Sequence, residues 1–127
     1  MKEFVAKAKN EYESIGKVFC PYFNDYVFFT NRGFKHLIWK RELGKRPSGD
    51  IYRRLQSIKY AAETISKSGT LQEYTEDKGV YFAFVSITNS NKYKVIVLKD
   101  AKDRYKFLSV IPNYKTNVRD KIKKPTR

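Results

Sequence analysis

The only histidine of the chain, His36, lies in the run Thr30-Asn31-Arg32-Gly33-Phe34-Lys35-His36-Leu37-Ile38-Trp39-Lys40-Arg41, among the cations Arg32, Lys35, Lys40 and Arg41. Imidazole is the one side chain whose ordinary titration falls near neutral pH, so it can give or take a proton under mild conditions. Ammonium and guanidinium groups beside it can hold a polyanion. Together these residue types fit a chemistry in which a phosphodiester is gripped by cations and broken by proton transfer.

For RNA that chemistry needs no metal. The 2′-hydroxyl attacks the adjacent phosphorus, so a site must supply a base for its proton, an acid for the departing 5′-oxygen and cations for the phosphoryl oxygens. DNA lacks the internal nucleophile, which makes RNA the expected substrate. A two-metal nuclease would instead need several converging carboxylates. The acids near structured segments, Asp50, Glu63, Glu73, Glu76 and Asp77, form no such motif. One His and one Cys, Cys20, cannot supply a structural zinc site within a single chain. No metal and no cofactor is therefore expected. Cys20 stands in an apolar stretch and reads as a small buried hydrophobe, since the residues around it carry no thiol-enzyme signature.

Composition points the same way. In 127 residues, 27 Lys and Arg stand against 13 Asp and Glu, a formal charge of +14, which draws anionic partners. A membrane partner would require a long apolar span or a basic amphipathic helix with a lipid-facing stripe, and neither pattern occurs. The opening Met1-Lys2-Glu3-Phe4-Val5-Ala6-Lys7 is broken by charge where a signal peptide is apolar, so a cytoplasmic location is expected. RNA contacts fall to Arg32, Lys35, Lys40 and Arg41, and to Lys45 and Arg46 in the Gly- and Pro-bearing loop over residues 42–49.

The elements that must carry these groups follow from periodicity. Phe4, Ala8, Tyr12 and Ile15 predict an amphipathic helix stopped by Gly16. Val18–Phe23 and Tyr26–Thr30 read as two short strands about an Asn24-Asp25 turn, the first at an edge because of Pro21. Phe34, Leu37, Ile38 and Arg41, with Asn31 as cap, predict a short helix that leaves His36 off its apolar stripe and reachable. Ile51, Leu55, Ile58, Ala62 and Ile65 predict one further helix stopped at Gly69. Strands are expected over 70–76, 80–88, 92–99 and 104–111, joined by hairpin-like turns. The expected fold is α+β, with N-terminal helices packed on a four-stranded antiparallel β-meander. Residues 1–112 form one domain, and 113–127 form a basic, flexible tail.

Read in order, Gly33-Phe34-Lys35-His36-Leu37-Ile38, Arg53-Arg54-Leu55, Tyr60-Ala61, Tyr81-Phe82-Ala83, Lys94-Val95-Ile96-Val97 and Lys106-Phe107-Leu108-Ser109-Val110 resemble the barnase, EndoU, colicin and RelE (BECR) group of nucleases. The pattern is most similar to the phage-type subgroup found in mobile-element polyproteins and toxins. The resemblance implies metal-independent RNA cleavage on a sheet face. It carries over His36, Arg53 or Arg54, Tyr81, Lys94 and Ser109 as site residues. His36 would be general acid or base, Arg53 or Arg54 the bidentate phosphate clamp, Lys94 and Ser109 the stabilisers of the oxyanion, and Tyr81 a base-stacking or phosphate-bonding group. A single His departs from the two acid–base groups usual in such enzymes, so His36 would work with a Glu, Tyr or Lys, or the activity would be weak or lost. A toxin of this kind would also take an acidic antitoxin or immunity protein as partner.

Each residue has a plainer alternative. His36 can be an ordinary half-buried histidine, Arg53 and Arg54 can solvate a helix face, Lys94 can pair with Glu73 across strands, Ser109 can be an idle strand hydroxyl and Tyr81 can be core. On that reading the chain is a non-catalytic basic RNA- or DNA-binding module.

Overall fold

The first helix forms where apolar residues recur one turn apart. In the computed structural model, which describes residues 2–40, 44–69, 73–76, 78–88 and 90–112, α1 (Lys2–Ile15) buries Ala8 and Tyr12. Gly16 follows at φ +68°, the left-handed conformation that closes helices and that glycine adopts without strain. β1 (Lys17–Cys20) and β2 (Asp25–Phe28) pair antiparallel, turning through Asn24 at φ 53°. α2 (Asn31–Ile38) begins one residue earlier than expected: Thr30 is the cap residue and Asn31 the first of the helix.

The long periodic helix is interrupted. α3 (Ser48–Gln56) and α4 (Ile58–Lys67) are separated at Ser57. Its hydroxyl donates to the Arg53 carbonyl at 2.7 Å and its N–H donates to the Arg54 carbonyl at 3.1 Å. A serine that bonds back to the preceding turn bends a helix. The apolar rhythm runs on across the bend, and for that reason the sequence reads as one element.

β3 (Glu73–Glu76), β4 (Val80–Thr88), β5 (Asn91–Lys99) and β6 (Tyr105–Ile111) run antiparallel in chain order. The sheet does not end there. Its order is β1-β2-β6-β5-β4-β3, six strands, with β2 parallel to β6 through Val27 opposite Tyr105 and Phe28 opposite Lys106. The fold is thus α+β, but the sheet is six-stranded and mixed rather than a four-stranded antiparallel meander. Strand order depends on contacts between residues far apart in the chain, which local patterns do not report.

α4 packs on one face of the sheet: Tyr60 stacks on Tyr93 at 5.0 Å, and the hydroxyls of Thr64 and Ser86 share a hydrogen bond at 2.6 Å. Phe82, Phe84, Val95, Val97 and Phe107 face that side and form the core with Tyr12, Phe34, Leu37 and Ile65. A bulge between Ile96 and Val97 on β5 leaves Leu108 of β6 as the extra residue.

Candidate functional site

β2 accompanies β6 only as far as Lys106. Beyond that point α2 takes its place, and it can do so because position 33 has no side chain. A Cβ on Gly33 would stand 2.5 Å from the Phe107 carbonyl oxygen and 2.7 Å from the Tyr12 hydroxyl. His36 lies one turn further along the same helix. It is half-buried and its Nδ1 is sealed from solvent. The side chain expected to be reachable thus keeps partial exposure, with its Nδ1 buried.

Arg46, expected in a mobile basic loop, is drawn inside and is 8% exposed. Its Nε donates to the His36 carbonyl at 3.1 Å, and its Nη1 lies 3.6 Å from Asp50 Oδ2. The loop is closed over it by two backbone bonds, Arg46 N–H to the Ile38 carbonyl and Lys40 N–H to the Gly44 carbonyl. Arg54, one turn along α3 from Asp50, donates from Nε to Asp50 Oδ1 at 3.1 Å and from Nη1 to Ser109 Oγ at 3.0 Å and the Val110 carbonyl at 3.1 Å. One carboxylate therefore serves two guanidiniums, and the cluster keeps one positive charge in excess. Burial first, and then the charge of Arg54, lowers the Arg46 pKa from its usual value, with Asp50 pulling the other way. Asp50 itself sits in the first turn of α3, where the helix dipole favours an anion.

The remaining expected residues fall in three places. Arg53 is exposed and lines a cavity of about 790 Å³ between α1 and the α3–α4 bend, beside Lys7, Glu11 and Lys59. Adjacent helical positions diverge by about 100°, so Arg53 and Arg54 serve different faces. Tyr81 and Lys94 alternate with the core residues of β4 and β5, and thus share the sheet face opposite α4. Ser109 is opposite Ile96 and joins that face, although it is only 2% exposed. Lys94 Nζ donates to Glu73 Oε1 at 2.8 Å, the cross-strand pair of the plainer alternative. Arg32, Lys35, Lys40 and Lys45 are exposed around α2. Arg41 and the tail over 113–127 lie outside the described residues.

The structure thus joins His36, Arg46, Arg54 and Ser109 through one network, and sets Arg53 apart from it. Its hub, Asp50, was visible in the sequence only as one of several acids. The signal was the spacing of Asp50 and Arg54, four residues apart on one face of a helix; Arg46 precedes that helix, and its approach to Asp50 is set by the loop. Among the described residues no three His, Cys, Asp or Glu side chains are grouped to hold a metal ion, and no helix is long and apolar enough to cross a membrane. Comparison with family models, curated proteins and solved structures finds no match to this chain.

Proposed function

We propose that this domain is a metal-independent endoribonuclease of the toxin type, related to the BECR nucleases, and that it cleaves RNA at the seam of α2, α3 and β6. The observation that carries this reading is the pair of guanidiniums, Arg46 and Arg54, sharing the single carboxylate of Asp50 next to the backbone of His36. An excess cation held in a partly desolvated cluster attracts phosphate more strongly than one in water.

In the proposed reaction the 2′-oxygen bonds to phosphorus as the 5′-oxygen leaves, giving a 2′,3′-cyclic phosphate and a 5′-hydroxyl. His36 transfers one of the two protons, and a Glu, Tyr or Lys transfers the other. Arg54 stabilises the phosphoryl oxygens and the buried Ser109 hydroxyl holds Arg54 in place, with Lys94 and Tyr81 on the same sheet face as Ser109. The exposed Arg32, Lys35, Lys40 and Lys45 hold the flanking strand. The chain acts in the cytoplasm, and an acidic antitoxin or immunity protein would cover the seam.

Incubation of RNA in EDTA with the wild type and with His36→Ala tests this. The wild type is expected to leave cyclic phosphate ends and the variant to be at least about a hundredfold slower, the usual worth of one acid–base group. Equal rates, or no cleavage by the wild type, would refute it. The sealed Nδ1 of His36 favours a second reading, a non-catalytic RNA-binding module in which His36 is structural. That reading predicts salt-dependent binding with no products.

A further inference from the structure

The β1–β2 hairpin presents the wrong kind of outer face for a solvated sheet. Register pairs Lys17 with Phe28 and Phe19 with Tyr26 on one side, while Val18 faces Val27 on the other. The inner side is conventional: Val27 and Cys20 are fully buried. The outer side of such an antiparallel pair is ordinarily polar, yet Phe19, Tyr26 and Phe28 are 42%, 42% and 37% exposed. Three rings on four adjoining positions exceed the scattered apolar exposure of an ordinary surface.

The rings are set among cations. Lys17 Nζ stands 4.5 Å from the centre of the Tyr26 ring, and Phe19 meets Tyr26 edge-on at 5.5 Å. Phe28 is opposite Lys106 in the parallel pair with β6. Lys106 and Arg104 share Asp100, at 3.1 and 3.3 Å, so two cations again face one carboxylate. By register, Phe28, Lys106 and Leu98 lie on the same side of the sheet as Ser109, Lys94 and Tyr81, although Leu98 and Ser109 are buried.

We infer that the outer face of the β1–β2 hairpin is a stacking platform for single-stranded RNA, with bases on Phe19, Tyr26 and Phe28 and phosphates on Lys17 and Lys106. The inference rests on the reading that this domain acts on RNA, and it names the strandedness of the substrate. Charge decides the occupant: aromatic rings interleaved with lysines on a chain of +14 suit a ligand that carries both planar π-faces and anions. A duplex meets only half of that requirement, because its bases are stacked on one another and cannot offer their faces to a protein ring.

The test uses the full chain carrying His36→Ala, so that any cleavage by His36 is removed from the binding measurement. Fluorescence anisotropy is read with a short labelled oligoribonucleotide, alone and annealed to its complement. Phe19→Leu, Tyr26→Leu and Phe28→Leu keep apolar bulk and remove the ring, and thermal melting shows that each variant is folded. Each substitution is expected to weaken single-strand binding by about five- to a hundredfold and to leave duplex binding within about twofold. Unchanged single-strand affinity, an equal loss on duplex, or a wild-type dimer that the variants dissolve would each overturn the platform. Cleavage is read separately with His36 intact. A protein that binds single strands through these rings but cuts nothing refutes the nuclease reading alone, whereas one that cuts with unchanged KM after loss of all three rings refutes the platform alone.

Discussion

Gly33→Ala sets two effects of opposite sign against each other. Gly33 is helical with a negative φ, so alanine is conformationally acceptable and would gain about 1 kcal/mol of helix propensity. Against this, the new Cβ would lie 2.5 Å from the Phe107 carbonyl oxygen, 2.7 Å from the Tyr12 hydroxyl and 2.9 Å from Phe107 Cδ2. A carbon rests about 3.3–3.6 Å from a carbonyl oxygen, so α2 would have to retreat by roughly 1 Å. Neither neighbour yields cheaply: Phe107 is paired with Val97 in the sheet, and Tyr12 is fixed by its bond to the Thr30 carbonyl at 2.7 Å. Overpacking of this kind costs up to about 3 kcal/mol, leaving a net loss of about 2 kcal/mol. Calorimetry should show Tm falling by roughly 6–10 °C, and a urea titration should show a lower midpoint with an unchanged slope. A Tm that rises by a few degrees would mean that propensity prevails and that α2 is not seated on β6.

Arg54→Lys should cost about 2 kcal/mol in urea denaturation, because an ammonium cannot span Asp50, Ser109 and the Val110 carbonyl together. Arg53→Lys should stay within about 0.5 kcal/mol, as expected at an exposed position. The Asp100 carboxyl is held below its usual pKa, first by the Arg104 N–H, then against burial by Lys106 and the Lys102 N–H. Its contribution is therefore complete above the ordinary carboxylate range, and the stability gap between wild type and Asp100→Asn should narrow as pH falls below about 4. Melting curves from pH 6 to pH 2 would show it. Cys20 is fully buried, and burial raises its thiol pKa, so a thiol reagent should label the native protein only at the rate at which it opens. Rapid stoichiometric labelling would contradict that burial.

Much of the fold is legible locally. The period of α1, the alternation in β4 and β5 and the turn over 100–103 agree with the structure, because each depends on neighbours within a few residues. The parallel pairing of β2 with β6 is invisible at that range, since Val27 and Tyr105 meet only when the whole chain is folded. The bend at Ser57 was hidden by an apolar rhythm that continues through it. At the site, residue chemistry indicated His36, and the resemblance offered Arg53 or Arg54 and Ser109, but neither showed the inward turn of Arg46: a loop bearing Gly and Pro reads as exposed, and the carboxylate of Asp50 lies beside its one arginine only in the folded chain. The hairpin rings were equally hidden, because aromatic residues suit a strand whichever way they point.

The two-residue parallel contact has a kinetic consequence. Phe28 cannot find Lys106 until nearly the whole domain has emerged from the ribosome, whereas the hairpins on either side close from short segments. Closure entropy for so long a loop must be met before the contact returns anything. Folding should therefore be limited by the docking of two preformed halves, and a nascent chain halted before β6 would lack the strand on which α2 and Arg54 converge.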